Sequence, residues 1–137
     1  MLAIARTDVV DAQWVDNGPG WVAVLLRDAD AVLRLRPGPF DFELGVVGAY
    51  PDGAPAAFEV RAFFPKDGAM VEDPVTGSLN ASVAQWLFES GRANGQYVAA
   101  QGTKLGRRGR VYLSLDASGQ VWVAGAARTL MSGATLF

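Results

Sequence analysis

The 137-residue chain contains no cysteine and no histidine. The first absence excludes a disulfide framework, a thiolate nucleophile, a two-thiol racemase pair and any cysteine-ligated zinc or iron–sulfur centre. The second excludes a Ser-His-Asp triad, an imidazole general base and a histidine-ligated metal. Proton chemistry in this chain therefore falls to carboxylates, lysines, tyrosines, hydroxyls and backbone dipoles. A strong charge of one sign is also lacking. Twelve Lys and Arg against 14 Asp and Glu leave a net charge of −2, and the sequence pI near 5.0 provides no global attraction to nucleic acid or to an anionic membrane. Long apolar runs are absent as well. The uncharged stretch Val75 to Phe88 contains Thr76, Ser78, Asn80, Ser82 and Gln85 and is too short to span a bilayer. Met1 to Val10 is interrupted by Arg6 and Asp8 and has no continuous signal-peptide core. A cytoplasmic location is expected, with neither a membrane nor a nucleic-acid partner.

Half of the residues are hydrophobic, which is enough for the core of one ordinary domain spanning 1–137. Most segments read as short strands divided by Gly, Pro and Asp. Trp21 to Arg27 and Ala31 to Leu35 form one such pair, and Leu44 to Tyr50 and Ala57 to Phe64 form another around Pro51-Asp52-Gly53. In Ala57 to Phe64 a period of two places Phe58, Val60, Ala62 and Phe64 on one apolar face. Arg110 to Asp116 and Val121 to Ala124 read as a hairpin across Asp116 to Gly119. Leu79 to Ser90 breaks this rhythm. Leu79, Val83, Trp86 and Leu87 fall at helical spacing, no charge appears before Glu89, and Gly91 supplies a stop. A helix apolar around so much of its circumference belongs inside the protein. The expected fold is α+β, a curved sheet wrapped around one central buried helix.

Directly before that helix lies Glu72-Asp73-Pro74-Val75-Thr76-Gly77-Ser78. The first backbone N–H groups of a helix have no intrahelical acceptor and sit at the positive end of its dipole, which suits a carboxylate or phosphate. Gly77 permits close approach to the backbone, and the Thr76 and Ser78 hydroxyls can cap the helix or bind a ligand. An Asp beside a bound anion in a partly dry cleft is suited to transferring protons. On composition alone, ordinary helix capping is the commoner explanation for such residues.

The string EDPVTGS at a helix start resembles the signature of the PhzF family, the phenazine-biosynthesis-like isomerases with a diaminopimelate-epimerase-like fold. Other stretches agree with the order of that family's C-terminal half: Trp14 to Trp21; Val60-Arg61-Ala62-Phe63 followed by Pro65; Gln101-Gly102 with Leu105-Gly106-Arg107 and Gly109-Arg110; and a closing strand ending near Gly133. The resemblance implies a single half-domain, a barrel-like mixed or antiparallel sheet curled around its helix, with the N-terminal half absent. It implies that Asp73 binds substrate and transfers protons, that Gly77 and Ser78 belong to the substrate-carboxylate site, to which the reading of the helix start adds Thr76, and that neither a metal nor an organic cofactor takes part. The general base of the family is a glutamate of the other half. Glu43 and Glu59, the glutamates here in strand-like contexts, occupy no matching motif.

The expected function is the carboxylate-binding half of a PhzF-like isomerase, acting on a small carboxylate by cofactor-independent proton transfer. It would pair with an N-terminal half or with a second copy of itself. The rival is a non-catalytic carboxylate-binding or dimerisation domain. Lys104 to Arg110, the one basic cluster, is expected to be a solvated turn, although Gln101 or Arg107 could close over the cleft. Trp14, Trp21, Trp86 and Trp122 are expected mainly in the core.

Overall fold

Turn residues cut the chain into eight strands and two α-helices in the computed structural model, which describes residues 4–134. In order these are β1 (Val9–Asp16), β2 (Gly20–Leu26), α1 (Ala29–Arg34), β3 (Leu44–Ala49), β4 (Phe58–Lys66), β5 (Ala69–Asp73), α2 (Gly77–Glu89), β6 (Gln96–Gln101), β7 (Gly109–Leu115) and β8 (Val121–Ala124). One sheet holds all eight strands in the order β1-β2-β3-β4-β6-β7-β8, with β5 also paired to β4. Most neighbours are antiparallel, but β2 with β3 and β4 with β6 are parallel. A parallel pair cannot be closed by a tight hairpin and needs a crossover. Here α1 crosses from β2 to β3, and α2 crosses from β5 to β6.

The two helices take opposite faces of the sheet. Leu79, Val83, Ala84, Trp86 and Leu87 of α2 share one buried cluster with Trp21, Ala23, Val60, Ala62, Ala99 and Leu113. Ala31 and Val32 of α1 share a second cluster with Val24, Leu26, Val46 and Phe63. Alternate residues of β2 and β4 therefore serve different cores. Contacts from α2 reach the outermost strands β1 and β8, so the sheet curls around it. The fold is α+β, a curled mixed sheet with a buried central helix, as the sequence pattern predicts. Close approach of α2 to the sheet depends on Gly45, where any Cβ would collide with the Leu79 side chain.

Several local expectations change. Ala31 to Leu35 is not a strand; it lies largely within α1, whose N-cap Asp28 accepts a hydrogen bond from the Ala31 N–H at 2.6 Å. Five residues rich in Val and Leu fit either period, and the capping carboxylate tips the balance. Strands β1, β5 and β6 are additional to the elements expected from the sequence. Trp21 and Trp86 are core residues, but Trp14 and Trp122 are 61% and 60% exposed, on edge strands β1 and β8 that α2 contacts. The expected closing strand near Gly133 does not form. Past Ala124 the described chain has no strand, and Leu130 and Met131 stand free of any core. Of the Met1 to Val10 segment, Met1 to Ala3 lie outside the described residues. No helix among the described residues is long and apolar enough to cross a membrane.

The second face of β4 is polar in sequence yet buried, because α1 covers it. Glu59 is fully buried there. Its Oε2 accepts from the Tyr50 hydroxyl at 2.7 Å and the Thr103 hydroxyl at 3.1 Å, while Oε1 has no partner. Burial raises the carboxyl above its usual 4.5, against the opposing pull of Tyr50, Thr103, Arg110 and Arg61. Burial and the adjoining Glu59 push the Tyr50 phenol up to about 12. From pH 4.5 up to the raised value, the folded chain binds more protons than the unfolded chain, so stability falls as pH rises through that window. Glu59→Gln is expected to flatten this dependence. Urea midpoints measured across that pH range provide the check, and an unchanged slope in the variant would contradict it.

Candidate active site

The candidate site forms where the sheet divides. One edge of β4 pairs along Phe58 to Val60 with β6 and along Ala62 to Lys66 with β5, so the ends of β5 and β6 meet beside it. At that junction the chain leaves β5, passes Pro74 and Val75, and starts α2 at Gly77.

A buried amide pins this turn. Gln101, the last residue of β6, is fully buried. Its Oε1 accepts from the Thr76 backbone N–H at 3.0 Å and from Asn80 Nδ2 at 2.8 Å. Its Nε2 donates to the Asp73 carbonyl at 3.1 Å and to the Thr76 hydroxyl at 3.0 Å. The Thr76 hydroxyl in turn donates to Asp73 Oδ2 at 2.7 Å. Asn80 Nδ2 also donates to the Thr76 carbonyl at 2.8 Å. Gly102 adds a close contact. It has φ of +82°, and a Cβ there would lie 2.7 Å from the Pro74 carbonyl oxygen.

All four predicted site residues come together here, in different roles. Asp73 is half-buried at the end of β5. Thr76 is buried at the N-cap, and its hydroxyl holds Asp73 instead of capping α2. Gly77 is exposed, with open space where a side chain would stand. Ser78 is half-buried, and its Oγ accepts from Trp21 Nε1 at 3.3 Å. The first intrahelical bond runs from the Asn80 N–H to the Thr76 carbonyl. The N–H groups of Gly77, Ser78 and Leu79 thus precede the helical ladder and lack an intrahelical acceptor.

Glu72 and Asp73 are adjacent in sequence, but the strand's period sends them to opposite faces. Glu72 forms a two-pronged pair with Arg61, Nε to Oε1 at 2.9 Å and Nη2 to Oε2 at 2.8 Å. Only Asp73 remains at the start of α2. Glu59 faces the α1 side and is remote from this turn in its bonding, joined to Tyr50 and Thr103. Three participants escaped the sequence reading or were assigned elsewhere: Trp21, Asn80 and, as a buried latch and not a lid, Gln101. The available signal was an Asn four residues after Thr76, one helical turn into a helix that the sequence reading places inside the protein.

The family model for phenazine biosynthesis-like proteins, PhzC-PhzF, matches residues 2–133. The chain belongs to this family. Among curated relatives, an uncharacterized isomerase of Pasteurella multocida is 26% identical over 130 residues, covering 91% of this chain and 44% of that protein. Antisense-enhancing sequence 1 of Schizosaccharomyces pombe is 30% identical over 133 residues, covering 87% and 44% respectively. The crystal structure of a PhzF-family phenazine biosynthesis protein from Bacillus anthracis superposes with a TM-score of 0.64 at 18% identity, covering 85% of this chain and 46% of that one. The chain thus spans less than half the length of each of these proteins.

Proposed function

We propose that this chain is the carboxylate-binding half of a PhzF-like isomerase. It would bind a small carboxylate at the start of α2 and move a proton through Asp73, with no cofactor. The observation that supports this most directly is the latched turn. Gln101 and Thr76 fix Asp73 beside a helix start whose N–H groups precede the ladder, and Gly77 leaves room for a ligand. Oriented N–H donors at a helix start stabilise a carboxylate, and a carboxyl held beside that carboxylate's α-carbon can accept or return a proton. Of Glu72 and Asp73, the acids adjoining the turn, only Asp73 is outside an ion pair, since Glu72 is engaged by Arg61. A second wall carrying the base is therefore part of the proposal, either from an N-terminal half or from a second copy of the chain.

Anthranilate is a suitable probe of the wall present here. Titration is expected to move the amide resonances of Gly77, Ser78 and Leu79, and Ser78→Ala is expected to weaken binding about tenfold through loss of one charge-assisted hydrogen bond. Undiminished affinity in that variant would remove the helix start from the proposal. Asp73→Asn is expected to tighten anthranilate, because it deletes a negative charge beside an anion, while abolishing deuterium exchange into substrate once the second half is supplied.

A further inference from the structure

The α1 face of the sheet carries a concentration of positive charge that the proposed carboxylate site does not use. A concavity of about 430 Å³ lies at the C-terminal end of α1, walled by Arg34, Arg36, Arg61 and Lys104 with Leu33 and Pro37 between them. Four cations line it and no carboxylate does, in a chain whose net charge is −2. Arg61 is committed to Glu72. Among the described residues Arg34, Arg36 and Lys104 form no ion pair; the cations that do are Arg27, Arg61 and Arg92.

The surroundings favour an anion more than the location first suggests. A helix C-terminus presents carbonyl oxygens and ordinarily repels negative charge. Here Arg61 Nη1 donates to two of those carbonyls, Val32 at 3.0 Å and Leu35 at 2.8 Å, and quenches them. The basic cluster read from the sequence as a single solvated turn is also divided by the fold. Lys104 joins the concavity, Arg107 packs against Gly102, and the charge of Arg110 acts on Tyr50 and Glu59.

We propose that this concavity binds a phosphorylated small molecule through its phosphoryl group, held by Arg34, Arg36 and Lys104. Two guanidinium forks and an ammonium supply more positive charge than a single carboxylate balances. A phosphoryl group, with close to two negative charges and three acceptor oxygens, matches them. The volume lies within the range of small-molecule sites, roughly 300–1,000 Å³. Glu72 marks this face and Asp73 the other, so the two sites lie on opposite sides of the sheet and neither requires the other.

Inorganic pyrophosphate titrated into the full chain at low ionic strength tests the proposal, followed by amide resonances and calorimetry. The expected result is saturable binding, weakened by added salt, with shifts concentrated at residues 33–37 and 103–105. R34Q/R36Q is expected to reduce affinity at least about tenfold, and K104Q several-fold. All three side chains are exposed, so the variants should keep the wild-type fold, which thermal unfolding checks. Ser78→Ala should leave pyrophosphate affinity unchanged whether or not it affects anthranilate, which separates this site from the carboxylate site. Absence of saturable binding, equal affinity in R34Q/R36Q and K104Q, or shifts confined to Gly77, Ser78 and Leu79 would each overturn it.

Discussion

Arg61→Ala is expected to destabilise the fold by about 3–5 kcal/mol, the range for stripping one partner from a buried ion pair. The Arg61 side chain is 5% exposed and that of Glu72 13%, so the carboxylate left behind would be largely sealed from water. More than the pair is lost. The same guanidinium ties the end of α1 to β4 through the Val32 and Leu35 carbonyls and stacks 4.8 Å from the Phe63 ring centre. Its deletion therefore loosens α1, β4 and β5 together. Urea denaturation measures the loss, and a value below about 1 kcal/mol, typical of surface pairs, would show that water already screens the pair. Arg61→Met with Glu72→Met is expected to recover the part of the loss due to the stranded carboxylate, because a buried pair replaced as a unit by apolar groups leaves no unpaired charge, while the Val32 and Leu35 carbonyls stay without this donor. Because Glu72 directly precedes Asp73 in β5, Arg61→Ala should also weaken anthranilate binding in the molecules that remain folded.

What the sequence displayed and what it concealed follow a physical division. The α2 helix was legible because its signal is local: Leu79, Val83, Trp86 and Leu87 repeat at helical spacing, and Gly91 ends the run. EDPVTGS was legible because its residue types, order and place before that helix agree at once. The shorter α1 carried too few residues for periodicity to separate helix from strand, and only Asp28 marked it. The separation of Glu72 from Asp73 was hidden with β5, a five-residue strand whose register is set by its neighbour β4. Burial of Arg61 and Glu59 ran against the sense of their strand's alternation, because a strand covered on both faces loses the polar side that alternation is taken to mean. Trp14 and Trp122 look like core residues in any local window, and only the order of strands shows them at the edges.

Gln101 is the furthest case of such concealment and carries the second large effect. Nothing within β6 distinguishes it from a solvated strand end; its role depends on β5 and β6 sharing one edge of β4, a meeting of segments some 28 positions apart in the Asp73 to Gln101 bond. Gln101→Leu matches its bulk but satisfies none of its four hydrogen bonds, leaving the Thr76 N–H and the Asp73 carbonyl without this partner. The expected cost is about 3 kcal/mol, since stranded buried polar groups forfeit about 1–3 kcal/mol each and do so less than additively. Location distinguishes this loss from general destabilisation. Thr76 and Asp73 would remain joined to each other through the 2.7 Å hydroxyl–carboxylate bond but no longer fixed to the sheet. Amide exchange at Thr76 should therefore rise steeply under conditions where Val83 and Leu87, in the interior of α2, stay protected. Anthranilate affinity should fall alongside it, because the N–H groups of Gly77, Ser78 and Leu79 lose the anchor that aims them. Uniform loss of protection along the whole of α2 would mean that Gln101 supports the core generally. Unchanged protection at Thr76 would mean that the turn is held by Pro74 and the hydroxyl bond alone.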